Sequence, residues 1–240
     1  MKGLFISGSG TDVGKTFIAS HLIRVLNPEC RVVARKPIES DCIKTPQGLV
    51  PKDATLLNNA CALPQSIEKV CKFKFEACVS SEKASIGQGV KVTLDDLVTA
   101  SLSDNIEDFV IVEGAGGLYS PIADQLLNID LAVELALPVV IVVKDELGAI
   151  NQALLSLRAA KEHNVDVAML VLNQLNSNNL DNAEAIERYT GIDVVVFNKE
   201  NQNDFMLSRY YLKTLLEGDF AKGLCLEGSN PDKYYADKED

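Results

Sequence analysis

Tryptophan is absent from the chain, and only six tyrosines and eight phenylalanines are spread over its 240 residues. A core must therefore be packed by aliphatic side chains, which a hydrophobic fraction of 47% can supply. Long apolar runs are also missing. The longest, Ala136–Val143, falls far short of the ~20 residues a membrane helix needs, and only Leu4-Phe5-Ile6 precedes the first glycine loop. No Lys/Arg cluster offsets the net charge of −11, which repels nucleic-acid phosphate and anionic membrane surfaces. Nucleic-acid and membrane roles are excluded on that basis. Cys30, Cys42, Cys61, Cys71, Cys78 and Cys225 form no CxxC pair, so a zinc or disulfide framework is excluded too. Scattered free thiols fit the reducing cytoplasm. The two histidines, His21 and His163, lie on helix-like stretches without a neighbouring nucleophile and read as structural.

What the chain does have is a regular alternation. Short continuous Val/Ile/Leu runs at Gly3–Ser7, Arg31–Arg35, Phe109–Glu113, Val139–Val143, Val167–Leu172 and Val194–Phe197 predict strands buried on both faces. Between and after them, Thr16–Leu26, Asp53–Ala60, Leu94–Ser103, Ile129–Leu137, Ala149–His163, Asp181–Tyr189 and Ser208–Glu217 predict helices. This order gives an α/β fold, a mostly parallel central sheet with helices on both faces. Residues 1–218 form one domain, and 219–240, rich in Asp, Lys, Glu and Gly, form a polar tail that frays or lies on the surface. Turn signals at Thr45–Gly48 and Gly87–Gly89 make the stretch from Lys36 to Ser103 one of short helices and substrate loops. Right-handed crossovers align the C-terminal ends of the strands along one edge, where an active site is expected.

Chemistry concentrates on that edge. Gly8-Ser9-Gly10-Thr11-Asp12-Val13-Gly14-Lys15-Thr16 stands between a strand and a helix and forms a phosphate cradle. Backbone N–H groups and the helix N-terminus face an anion, Lys15 adds positive charge, and the Thr16 hydroxyl can ligate Mg²⁺. A tight structural turn would explain the glycines but not a lysine, which is costly to desolvate beside a positive helix end unless an anion faces it. The loop is one residue longer than the usual P-loop, with five residues between Gly8 and Gly14. Glu113, at a strand end before Gly114-Ala115-Gly116-Gly117, and Asp53 are candidate Mg²⁺ partners; Asp53 reads equally well as a helix N-cap. Lys36-Pro37 follows the second strand, where a lysine can neutralise a phosphoryl group or a carboxylate, or can be solvated. Lys144, Asp145 and Asn173 follow strands on the same edge, and Ser40, Lys44, Lys144 and Asp145 carry weaker signals.

As an ordered set, these residues resemble the dethiobiotin synthetase family, whose P-loop has the same extra residue. The likeness continues in Lys36-Pro37-Ile38-Glu39-Ser40, in Thr45–Leu49 with Asp53-Ala54, in Val112–Gly117, in Leu147–Asn151 and in Asn173, and it spans about residues 3–175. The resemblance implies an ATP- and Mg²⁺-dependent ligase acting on 7,8-diaminononanoate and CO₂ or bicarbonate as a homodimer. By that resemblance Lys36, Lys15 and Thr11 are catalytic, and Thr16, Asp53 and Glu113 hold the metal. Asp12, Val13, Gly14, Lys15, Thr16 and Phe17, with Gly114, Ala115, Gly116 and Asn173, would meet the nucleotide. Ser40 and Asp12 would contact the substrate, and Gly148, Ala149, Ile150 and Asn151 would receive its carboxylate from across the dimer interface. The chain departs from the family at Asp12, where many members have Glu. It also lacks the Pro-x-x-Leu-like segment that helps hold adenine, its place being taken by Val195–Lys199. Two other readings stay open. A partition or assembly ATPase usually carries an extra early loop lysine, absent from Gly8–Val13, and an amidating ligase needs a glutaminase domain for which there is no room.

Overall fold

The computed structural model describes residues 1–175 and 178–198. The expected helix at 208–217, the tail at 219–240, Lys199 and Cys225 lie outside the described residues. In chain order, β1 (Lys2–Gly8) passes through the glycine loop into α1 (Lys15–Leu26) and β2 (Val32–Arg35). Short pieces follow: β3 (Ile38–Glu39), β4 (Ile43–Thr45), β5 (Gly48–Val50), α2 (Lys52–Ala60), α3 (Ile67–Val70), β6 (Phe73–Lys74), α4 (Ser81–Gly87) and α5 (Leu94–Ser101). The regular alternation resumes with β7 (Phe109–Gly117), β8 (Pro121–Ala123), β9 (Leu126–Leu127), α6 (Asn128–Leu135) and β10 (Val139–Lys144). It ends with α7 (Ala149–Glu162), β11 (Val167–Gln174), α8 (Asn182–Thr190) and β12 (Val194–Asn198).

Six strands form one parallel sheet in the order β12-β11-β10-β1-β7-β2. The direction of winding reverses about β1, and the crevice at such a reversal is where open α/β sheets bind ligands. Alternate residues of each central strand face opposite layers. Leu4 and Ile6 of β1 pack with Ile18, Leu22 and Leu26 of α1 and with Ala54 and Leu57 of α2. Phe5, between them in sequence, joins Val112 and Ile141 with Ile129 of α6 and Ala153 of α7 on the other face. Helices thus cover both sides, which is why the strands read as continuous apolar runs. Each fully buried Leu or Ile contributes roughly 1.5–3 kcal/mol.

The boundaries differ from expectation in informative places. β7 continues past Glu113 through Gly117, and a register shift between Ile6 and Gly8 lets Gly117 pair with Gly8. Gly114 serves close approach: a Cβ on it would lie 2.6 Å from Asn128 Oδ1 and 2.9 Å from Phe5 Cζ. Helix α6 stops at Leu135, two residues before the expected Leu137, because Ala136 turns left-handed at φ 49°. Similarly, α5 ends at Ser101 rather than Ser103. No described helix is long and apolar enough to cross a membrane. The described cysteines, Cys30, Cys42, Cys61, Cys71 and Cys78, are all free thiols.

Candidate active site

The glycine loop is anchored from three sides. Ser9 N–H donates to the Val142 carbonyl of β10 at 2.8 Å, and Ser9 Oγ donates to Gln152 Oε1 of α7 at 2.8 Å. From β11, the Asn173 side-chain amide donates to the Val13 carbonyl at 2.9 Å, closing the underside of the loop. Gly14 caps α1 with φ 93°, and a Cβ there would fall 2.1 Å from Asn173 Nδ2. Gly14→Ala therefore strains the backbone and pushes on a buried amide, with an expected destabilisation of about 1–3 kcal/mol and weakened nucleotide binding. Calorimetric titration with a non-hydrolysable ATP analogue checks this; wild-type affinity would separate the loop conformation from phosphate binding.

Lys15 is buried and folds back to donate to the Gly10 carbonyl at 2.9 Å. Burial first, then the nearby Lys36, lowers its pKa, against the opposite pull of Glu113, Asp53 and Asp12. A cation so disfavoured gains when an anion enters the loop. Thr11 and Asp12 are exposed at the loop's crest, with Asp12 in the left-handed region at φ 59°. Phe17, in the first turn of α1, meets the Phe197 ring edge-on with centroids 5.4 Å apart.

The second group of charges centres on Lys36. Its Nζ donates to Glu113 Oε1 at 2.6 Å and to the Gly114 carbonyl at 2.9 Å, and it lies 3.6 Å from Asp53 Oδ2. Thr16 Oγ1 donates to the same Glu113 oxygen at 3.0 Å, which joins the phosphate loop to this cluster. The Lys36 and Glu113 side chains are 3% and 0% exposed, whereas Asp53 is 42% exposed. Burial alone would lower the Lys36 pKa, but Glu113, Asp53 and Glu39 outweigh it and hold the ammonium above its ordinary range. The other oxygen of Glu113, Oε2, is buried without a hydrogen-bond partner.

Asp53 is not the helix cap. Pro51 holds that position, and Asp53 sits in the first turn of α2 with its carboxylate toward Lys36. Two buried residues that sequence reasoning passed over shape the site. Glu39 accepts hydrogen bonds from the Asp53 and Ala54 amides. Asn128 holds the glycine run after Glu113, accepting from Ala115 N–H at 3.0 Å and donating to the Ala115 and Gly117 carbonyls at 2.6 and 2.8 Å. Gly116, in that run, has φ 85°, and a Cβ on it would meet Ser120 Oγ at 2.4 Å.

The remaining candidates are spread around this centre. Ser40 Oγ donates to the Val79 carbonyl at 2.7 Å. Gly148, at φ 98°, caps α7; Ala149 is buried behind it, Ile150 is half-buried and Asn151 is exposed. Lys44 pairs with Glu76 at 2.9 Å, and Lys144 pairs with Glu146 at 2.6 Å. Asp145 accepts from Gln174, Asn178 and Asn182, so it is a hub for the loops that follow β10 and β11. His21 and His163 pack edge-on against Phe197 and Tyr119, respectively, away from the lysine cluster.

A phosphate cradle at the reversal point of a parallel sheet, with a lysine over the loop and a threonine tied to a strand-end carboxylate, defines the P-loop nucleotide-binding class. A family model described as an AAA domain matches residues 2–197. The chain is 56% identical to an ATP-dependent dethiobiotin synthetase from Ruthia magnifica subsp. Calyptogena magnifica, over 85% of this chain and 95% of that relative. It is 52% identical to another from Vesicomyosocius okutanii subsp. Calyptogena okutanii, covering 92% of this chain and the whole of that one. A third, from Rhodopirellula baltica, shares 34% identity over 80% of this chain and 81% of its own. The chain belongs to the ATP-dependent dethiobiotin synthetase family and is an ATP-dependent ligase.

Proposed function

We propose that this enzyme joins CO₂ to 7,8-diaminononanoate, using ATP, to form the cyclic urea of dethiobiotin. The observation that carries the reading is the Lys36 ammonium, buried between Glu113 and Asp53 and linked through Thr16 to the phosphate loop. One substrate amine attacks CO₂ and sheds a proton, giving a carbamate. A carbamate oxygen then attacks the γ-phosphorus of ATP and ADP leaves. The second amine attacks the carbamoyl carbon of the mixed anhydride, phosphate departs, and the ring closes with loss of a proton.

A carbamate is a weak nucleophile and the γ-phosphate is anionic, so both need fixed positive charge and exclusion of water. Lys15 and Lys36 supply that charge. Held above its ordinary pKa, Lys36 stays protonated at neutral pH and acts as a cation rather than as a base. Thr11, on the exposed crest, faces the transferring group, and Ser40 and Asp12 contact the diamine. The N–H groups that open α7 at Gly148–Asn151 suit the substrate carboxylate, delivered across a homodimer interface.

The residues fit Mg²⁺. An orphaned buried carboxylate oxygen costs at least about 1–3 kcal/mol unless a cation faces it, and Glu113 Oε2 is such an atom. With the Thr16 hydroxyl and the half-open Asp53 carboxylate it makes a hard oxygen set of the kind this ion takes. When bound, Mg²⁺ would neutralise phosphate charge and help fix the terminal phosphate. Incubation with MgATP, bicarbonate and 7,8-diaminononanoate tests the reading through phosphate release and product mass. Release that depends on the diamine, with a mass gain of one CO₂ less one water, is expected; phosphate release indifferent to the diamine would refute it.

A further inference from the structure

We propose that Glu39 is a positioning residue that caps α2 from a distant strand and thereby holds the Asp53 carboxylate beside Lys36. The inference rests on the role given to Asp53 above. Helix α2 follows Pro51, which provides no side-chain cap. A helix start leaves its first amide N–H groups without intrahelical partners. Glu39 fills the gap with both of its oxygens: Oε1 accepts from Asp53 N–H and Oε2 from Ala54 N–H, each at 2.9 Å. These are the two amides that a serine or aspartate at the cap position would ordinarily serve. A buried carboxylate also suits the positive end of the helix.

Glu39 has little freedom to move. Its strand β3 pairs in parallel with β6, and its carbonyl accepts from Phe75 N–H at 2.9 Å. Three residues earlier, the same segment carries Lys36, whose N–H donates to the Val70 carbonyl at 2.8 Å. One short stretch of chain therefore sets the ammonium at one end and the start of α2 at the other. The 3.6 Å separation of Lys36 Nζ from Asp53 Oδ2 follows from both. Glu113 is fixed by its own strand, so Glu39 governs the placement of the other carboxylate of the pair.

The test compares Glu39→Ala, Glu39→Gln, and Glu39→Ala combined with Pro51→Ser, since a serine hydroxyl at the cap position would offer a local acceptor to the same two amides. Binding of Mn²⁺ to the protein saturated with a non-hydrolysable ATP analogue is read by electron paramagnetic resonance, alongside the Mg²⁺ dependence of turnover. Glu39→Ala is expected to weaken Mn²⁺ binding about tenfold, with Pro51→Ser restoring most of the loss. Glu39→Gln keeps one acceptor oxygen and should fall between; it carries the test if Glu39→Ala does not fold. Unchanged Mn²⁺ affinity in the folded Glu39 variants would overturn the proposal. So would a loss that Pro51→Ser does not repair, because Glu39 would then act on the ligand itself. A wild type that binds Mn²⁺ with nucleotide and shows these shifts, yet makes no product, would count against the proposed reaction and not against the cap. Absence of Mn²⁺ binding by the wild type would remove Asp53 from the metal and the positioning role with it.

Discussion

Lys36→Ala is expected to lower kcat/KM for carboxylation by about 10²–10³-fold, the usual effect of removing one preorganised group from developing charge, while ATP affinity changes little. The phosphate loop has its own lysine, and its anchors to β10, α7 and β11 do not involve Lys36. In the proposed reaction Lys36 contributes a second fixed charge, poised between the strand-end carboxylate and Asp53. Steady-state kinetics paired with calorimetric titration of the ATP analogue separate the two effects. A parallel fall in ATP affinity would make Lys36 a general binding residue, and undiminished turnover would remove it from the chemistry.

Glu113→Ala is expected to cost about 3–5 kcal/mol of stability, as breaking a buried ion pair usually does. Lys36 would then stay desolvated with only the partly exposed Asp53 near its charge. A neutral, similarly long side chain in place of Lys36 should recover much of the loss. Chemical denaturation of Glu113→Ala, Lys36→Met and the double variant measures the coupling. Additive losses would contradict the pairing, because residues that share a buried charge are not independent. Any activity left in Glu113→Ala should need much more Mg²⁺.

The sheet was legible because doubly covered parallel strands have to be apolar throughout, and each of its six strands appears in the sequence as a short Val/Ile/Leu run. Lys15, Thr16, Lys36 and Glu113 were legible for a related reason: each follows or ends such a run, so the topology brings them to one edge. The stretch from Lys36 to Ser101 was much less so. Its two-residue strands β3 and β6 exist because each meets the other, and no periodicity marks them. Asp53 illustrates the limit of local reasoning. An aspartate near the start of a helix is a good cap, but Pro51 takes the cap position and Glu39, fourteen residues before Asp53, bonds to the first-turn amides. Asn128 escaped notice similarly, since its partners in the Glu113 glycine run lie on another element. The strand was expected to end at Glu113 but runs on through Gly117, and at Gly114 the space a side chain would need is filled by Phe5 and Asn128.

The proposed reaction makes one atom's path decisive. In forming the mixed anhydride the carbamate gives an oxygen to phosphorus, and ring closure leaves that oxygen on phosphate. Single turnovers with ¹⁸O-labelled CO₂, quenched before the label exchanges with water, should therefore release phosphate carrying one labelled oxygen, and only when 7,8-diaminononanoate is present. Phosphate without label, alongside normal product formation, would contradict activation of the carbamate by ATP.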